Sequence, residues 1–353
     1  MNQHEDAPRD LTIVDIAREA GVSVTTVSRI LNGKPDVAQR TRNRVLDVIK
    51  RTGFTPHAQA QRLRAGSTRT IAVVFPLSEP HSMQNITQLE LNFMLGAATA
   101  AGEENYFINL LSTPMTPETL LGLYKGNIVD GLVLMEISMQ DWRVELLREH
   151  RLPFVMIGRT DDNTGLDYVD LDLDDAVENA FDYLVGLGHS NIGFLTYGAV
   201  PLNRGLGPAV RSMQGYENAV GKHNIPALYR HVGYAVQDAI EACEDLFAQE
   251  PGLTAAVTVL DTMAIGCMRA LHDRGMAVPD DFSLVGITSE NLAQMVVPAL
   301  TSIDFSASGM GYTAVKMLIE RLQDAESEPK QLLMSAQLIE RDSTGSAPPR
   351  TDR

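Results

Sequence analysis

Cysteine is nearly missing from this chain, and each of its other absences narrows what it can be. Only Cys243 and Cys267 occur in 353 residues. Their spacing fits no metal motif, and two thiols cannot form a disulfide framework, so a reduced, cytoplasmic setting is expected. No run approaches 18 apolar residues, so no membrane-spanning helix is expected. The start, MNQHEDAPRD, is polar and acidic and lacks the apolar core of a secretion signal. GxGxxG, GxxxxGK[ST], HExxH and GxSxG are all absent. Those absences argue against a dinucleotide or nucleotide cofactor, a zinc hydrolase and a serine hydrolase. The eight histidines are scattered, and His189 in GLGHSNIG suits a helix-to-strand turn better than catalysis. No enzyme, no cofactor and no metal is the resulting expectation.

Basic residues are scarce overall, 29 against 45 acidic, for a net charge of −16. Their distribution is uneven. Residues 1–69 hold 12 Lys and Arg against 7 Asp and Glu; the remainder holds 17 against 38. A basic head on an acidic body suits a local phosphate-binding surface.

The head contains TIVDIAREAGVSVTTVSRILN, residues 12–32. Thr12 is a good N-cap, with Asp15 in the first turn. Ile13, Ile16, Ala17 and Ala20 make one apolar stripe, and Gly21 suits a left-handed end. Ser23 caps a second helix whose inner face is Val27, Ile30 and Leu31. Val24, Thr25, Ser28 and Arg29 face away from that core. Asn32-Gly33 and Pro35 end the helix. A third helix spans about 38–52, with Val45, Leu46, Val48 and Ile49 inside, and stops at Gly53. Two short helices around a glycine turn, the second presenting small polar groups, form a unit that can enter the major groove of DNA. After it, HAQAQRLRAGSTR (57–69) is a marginal helix that needs something to hold it. Arg62-Leu63-Arg64 within it suits a minor-groove wedge: an apolar side chain flanked by two cations.

From Thr70 onward, short apolar runs alternate with amphipathic helices. TIAVVF, YFINLL, GLVLM and FVMIG read as buried parallel strands. A second set follows: YVDLD (168–172), NIGFLTY, a weak strand near 229–232, AAVTVL and FSLVGI. A strand near 300–303, a helix near 309–324 and a strand at 332–339 complete the body. Two successive doubly wound α/β domains with a cleft at the carboxyl ends of their strands are expected. The expected boundaries are a head at 1–56, a hinge at 57–69, a body at 70–343 and an unstructured tail at 344–353. Within the body, 70–166 and 302–328 are assigned to the first subdomain, and 167–301 and 329–343 to the second.

The motifs TIVDIAREAGVSVTTVSRILNG, TRNRVLDVIKRTGFTP, RLRAG, GLGHSNIGFL and VPDDFSLVGI, in that order, resemble the LacI/GalR family of bacterial transcriptional regulators. The resemblance covers residues 11–342. It implies an N-terminal helix-turn-helix domain joined to a body like type I periplasmic binding proteins. It also implies a homodimer or tetramer on a roughly palindromic double-stranded operator, and a small-molecule effector. Carried over by position, Val24, Thr25 and Arg29 touch base edges, with Arg29 placed for a bidentate contact to guanine. Thr12, Ser23, Thr26, Ser28 and Asn32 suit phosphates, as do Thr41 and Arg42 more weakly. Arg62, Leu63 and Arg64 form the minor-groove hinge. A periplasmic solute-binding protein is the alternative; it would need a secretion signal and no DNA-binding head.

The effector pocket departs from the family pattern. Sugar-binding members carry Asn-Asp where this chain has Leu260-Asp261, and an Asp where it has Thr288. Their pocket arginine falls at Ser212, with Arg211 one residue earlier. His81, Ser82 and Met83 stand where aromatic residues often line the cleft. The remaining candidates are Glu136, Arg159, Asp261, Glu290 and Asn291. Two fewer acceptors favour a less polar or an anionic effector, whereas family frequency favours a sugar.

Overall fold

The structure, a computed structural model, describes residues 11–31, 34, 36–54, 67–75 and 88–349. The chain divides into two compact units, 1–68 and 69–353.

The first unit contains α1 (Ile13–Ala20), α2 (Val24–Leu31) and α3 (Gln39–Thr52). Thr12 and Asp15 cap α1 reciprocally: the Asp15 amide donates to the Thr12 hydroxyl at 3.4 Å, and the Thr12 amide donates to the Asp15 carboxylate at 3.0 Å. Gly21 ends α1 at φ +61°, a left-handed conformation costly for other residues. Ser23 Oγ accepts the Thr26 amide at 3.1 Å and so opens α2. Ile16, Ala17, Ala20, Val27, Ile30, Val45, Val48 and Phe54 form the core, so the apolar stripes of the sequence meet as expected. Leu46 is an exception at 46% exposed. It follows Val45 by one helical position, a rotation of about 100°, which carries it off the buried face.

The second unit is built on two six-stranded sheets. In chain order its elements begin with β1 (Thr70–Val74), α4 (Gln88–Glu103), β2 (Phe107–Leu111), α5 (Pro117–Lys125), β3 (Gly131–Leu134), α6 (Trp142–Glu149), β4 (Phe154–Ile157) and β5 (Tyr168–Leu171). Then come α7 (Leu173–Gly186), β6 (Ile192–Tyr197), α8 (Ala199–Asn203), α9 (Gly207–His223), β7 (Tyr229–Val232), α10 (Val236–Gln249), β8 (Ala255–Thr258) and α11 (Asp261–Asp273). The last are β9 (Ser283–Ile287), α12 (Glu290–Met295), β10 (Thr301–Asp304), α13 (Ala307–Gln323), β11 (Gln331–Met334) and β12 (Gln337–Ile339). The first sheet has the order β11-β5-β4-β3-β1-β2 and is parallel throughout. The second has the order β12-β10-β9-β8-β6-β7, parallel except for β12. Helices cover the faces, as parallel sheets require.

The crossings between sheets correct the expected subdomain limits. β5 belongs to the first sheet although no helix separates it from β4. Helixless parallel connections are uncommon, which is why 168–172 reads as the start of a new domain. β10 belongs to the second sheet, not the first. The single expected strand at 332–339 is two strands, β11 in the first sheet and β12 in the second. Buried polar clamps fix these crossings. Arg321 donates to both oxygens of Asp167, at 2.9 and 3.2 Å, and the Lys330 amide donates to Asp167 at 2.7 Å. Those contacts seat α13 and β11 beside β5. Arg341 donates to Asp304 at 3.0 Å and to the Leu300 carbonyl at 2.9 Å, tying the returning chain to β10.

Two other expectations are corrected. Residues 344–349 are ordered rather than an unstructured tail. His189, buried, bonds Thr254 at 2.8 Å, Ser283 at 3.0 Å and the Gly345 carbonyl at 3.1 Å, and the Ala347 amide donates to the Leu187 carbonyl. β2 is not a buried strand but the sheet edge, with Phe107 58% and Leu110 47% exposed. Cys243 of α10 and Cys267 of α11 are separated in sequence, yet their sulfurs lie 3.3 Å apart in the core as free thiols.

Candidate functional site

In the first unit, Thr25 and Arg29 are exposed on α2, one helical turn apart. Arg29 forms an ion pair with Asp36. Val24 is half-buried against the helical core, which limits how much of it is presented. The hydroxyls of Ser23 and Thr26 bond each other at 2.8 Å, and Thr12 serves its capping box, so all three have helix-stabilising work. Ser28 is half-buried. Thr41 and Arg42 stand in the first turn of α3, their amides donating to the Ala38 carbonyl, and Arg42 also donates to the Lys34 carbonyl. Asn32 and the hinge residues Arg62, Leu63 and Arg64 lie outside the described residues.

In the second unit, a two-chambered cleft opens at the carboxyl ends of the strands, where open α/β sheets place ligands. The outer chamber, about 620 Å³, is lined from the first half by Val74, Gln140, Trp142 and Arg143 and from the second by Arg204 and Val232. The inner chamber is about 140 Å³. Glu136, Leu206 and Tyr234 line both. Glu136 follows β3 at φ +50°, a left-handed conformation for a residue that is not glycine. Arg143 holds that turn by donating to the Met135 and Glu136 carbonyls at 3.1 and 2.8 Å. The same guanidinium pairs with Asp141 at 2.6 Å, while its Nη1 is buried with no hydrogen-bond partner.

Charge in the inner chamber is mainly negative. Burial, reinforced by Glu90, pushes the Glu136 carboxyl up to about 7 against the opposing pull of Arg143. Burial pushes Asp170 up to about 6, although Arg211 and Arg159 pull the other way. Burial raises the phenols of Tyr197 and Tyr234, with the nearby carboxylates adding to it. Asp170 Oδ2 is buried without a hydrogen-bond donor; Arg159 lies at 3.5 Å and Arg211 at 4.0 Å as charge neighbours.

The helix-turn-helix region, residues 12–57, matches the model for bacterial regulatory proteins of the lacI family. Residues 181–344 match the periplasmic binding protein-like domain. A transcriptional repressor named PurR, from Shigella sonnei (strain Ss046), is 31% identical over 344 residues, covering 96% of this chain and 98% of its own. The chain belongs to the lacI family. Two solved structures share its architecture. A transcriptional regulator CelR–cellobiose complex is 25% identical with a TM-score of 0.69, covering 94% of this chain and 99% of its own. The lac repressor dimer bound to operator and the anti-inducer ONPF is 22% identical with a TM-score of 0.81, covering 96% and 100%. As a lacI-family member the chain is a DNA-binding transcriptional regulator, and its relatives are regulators rather than enzymes. Among the described residues, no helix is long and apolar enough to cross a membrane.

Against the lacI-family pattern, the effector candidates separate. Glu136 and Arg211 line the cleft. The one-residue offset therefore does not keep Arg211 out; Ser212, at the family's arginine position, is instead buried and bonds Thr196 at 3.0 Å. Arg159 stands behind the inner chamber: its carbonyl accepts Arg211 at 3.0 Å, and its guanidinium sits among Asp170, Asp172 and Asp174. Asp261 and Thr288 line neither chamber. Thr288 donates to Asp261, as do the Ser289 amide and hydroxyl, so that carboxylate is satisfied internally. Glu290 is exposed and bonds Gln294 at 3.0 Å. His81, Ser82 and Met83 lie outside the described residues. Sequence reading missed Glu90, Trp142, Arg143, Asp170, Tyr197 and Tyr234. Only Asp170 leaves a trace, a lone acid inside the apolar run YVDL.

Proposed function

We propose that this regulator is a homodimeric repressor of a pseudo-palindromic operator, and that a sugar or sugar derivative in the cleft sets its operator affinity. Two α2 helices, one per protomer, enter successive major grooves, with Thr25 and Arg29 reading base edges and Val24 adding apolar contact. Thr12, Ser23, Thr26, Ser28, Thr41 and Arg42 face phosphates and fix the register. The segment holding Arg62, Leu63 and Arg64 takes the minor groove at the centre. The effector stabilises one closure of the two body halves over the other and so shifts DNA affinity.

One observation carries the effector reading: Arg143, whose buried Nη1 has no hydrogen-bond partner, and the half-exposed Trp142 line the same 620 Å³ chamber. A sugar ring presents an apolar face for the indole and hydroxyls for the polar groups of the chamber wall. The cellobiose held by CelR supports the same class of ligand. The dimer reading rests on exposed apolar surface: Leu91 and Leu95 on α4, with Leu110 on the edge strand β2. The test is operator binding by anisotropy, on a duplex selected from random sequence, with cellobiose, glucose and ribose titrated in. A shift of roughly 5- to 150-fold with one of them is expected. No shift with any mono- or disaccharide, neutral or amine-bearing, overturns the sugar reading.

A further inference from the structure

We infer that the inner chamber receives a protonated amine carried by the effector. The inference rests on the reading of the cleft as an effector site and adds the chemistry of the group bound at its deep end. An amine-bearing polyol, with its ring in the outer chamber and its ammonium inward, is the ligand class.

Carboxyl groups outnumber cations in the lining of the inner chamber. Among the described residues, Glu90, Glu136 and Asp170 line a space of about 140 Å³ with Arg211 as the one cation, and Glu90 is itself engaged. That arginine is already committed: its Nη2 donates to the Arg159 carbonyl at 3.0 Å, and it lies 4.0 Å from Asp170. In the outer chamber, which Glu136 also lines, Arg143 is paired with the buried Asp141, and Arg204 has interactions of its own. Arg159 is shared among three aspartates. These cations are thus engaged elsewhere, and among the described residues no ion pair to Glu136 is formed.

Two unmet acceptors point to a missing donor. Among the described residues, no donor is bonded to the Glu136 carboxyl. Asp170 is 9% exposed, and its Oδ2 has no hydrogen bond. A buried carboxylate without donors is costly, and an ammonium, with three donors and a full charge, satisfies such acceptors best. The walls agree. Phe93, Phe305, Tyr197 and Tyr234 line the same chamber, and aromatic faces attract a desolvated cation. An anionic effector, favoured by the missing acceptors at residues 260 and 288, would meet these carboxylates unpaired.

The test uses the full chain at pH 8, with each amine set against a neutral counterpart: glucosamine against glucose, ethanolamine against ethylene glycol. Thermal shift and calorimetry report binding, and anisotropy on the selected operator reports response. At least one amine is expected to bind about tenfold or more tighter than its counterpart. Glu136→Gln should erase that difference, and Asp170→Asn should do so independently, with both variants still binding operator in the absence of ligand. The inference is overturned if counterparts bind equally, if Glu136→Gln keeps the amine preference, or if no amine binds below about 10 mM. If neutral sugars alone shift operator affinity, the amine fails while the effector reading stands. If neither set shifts it, both fail.

Discussion

Arg29 and Asp36 form an ion pair on the exposed surface of the DNA-binding unit, with side chains 48% and 49% accessible. Such a pair contributes about 0–1 kcal/mol, so DNA can break it cheaply. Asp36 then stands as an anion close to the groove. Asp36→Asn is expected to tighten operator binding and to steepen its salt dependence. Arg29→Ala is expected to cost about 1–3 kcal/mol and to relax selectivity at one base pair of each half-site. Anisotropy titrations at several salt concentrations, on operator and single-base variants, measure both. An unchanged affinity in both variants would remove Arg29 from the contact set.

The dimer is tested at the sheet edge. Leu95 and Phe107 are 54% and 58% exposed, so replacing them costs the protomer little core. The double variant Leu95→Asp, Phe107→Asp is expected to sediment as a folded monomer and to lose operator affinity through lost bivalency. A dimer that survives the change places the interface elsewhere.

The contact between α4 and α13 depends on two glycines. A Cβ on Gly96 would lie 1.9 Å from the Ser308 carbonyl oxygen, and one on Gly311 would lie 2.0 Å from that of Phe93. Backbone cannot retreat as a flexible side chain can. Gly96→Ala and Gly311→Ala are each expected to lower stability by about 1–3 kcal/mol, read by thermal or urea unfolding of the body. A neutral result would mean that the helices separate freely.

The cleft carboxyls make stability depend on pH. Folding raises Glu136 to about 7 and Asp170 to about 6. A raised carboxyl binds protons in the folded state that the unfolded chain has released. Their contribution is therefore greatest at low pH and is lost as pH rises through about 4 to 7. The titratable and charged groups lining the two chambers with Glu136 are Glu90, Asp141, Asp170, Arg143, Arg204, Arg211, Tyr197 and Tyr234, and the phenols stay neutral throughout. Without ligand, the melting temperature of the body is expected to fall from pH 5 to 8, and Glu136→Gln should flatten that fall. If the fall has the same slope in the variant, another group is responsible.

Most of the DNA-binding head was legible in the sequence because its signals are local. Thr12, Gly21, Ser23 and Gly53 act within one helical turn, and the stripe from Ile16 to Ala20 needs only helical periodicity. Leu46 escaped because two adjacent apolar residues cannot both lie at the centre of one face. In the body, the alternation of strands and helices was legible, but the sheet owning each strand was not. The sheet that owns β5, β10 or β11 is not a local property, because partner choice depends on contacts such as Arg321 with Asp167, 154 residues apart.

The sequence alone determined the class of molecule. A capped helix pair on a basic segment, followed by an acidic α/β body, is written in neighbours and in charge, and it suffices for a DNA-binding regulator. Tertiary structure alone decided what the cleft presents. Asp261 and Thr288 look like ligand groups in the chain, but folding turns them toward each other. Glu90, Glu136 and Asp170 lie on separate elements, and folding brings them around one chamber. A pocket is made where strand ends converge, so its chemistry depends on distances that no local pattern records.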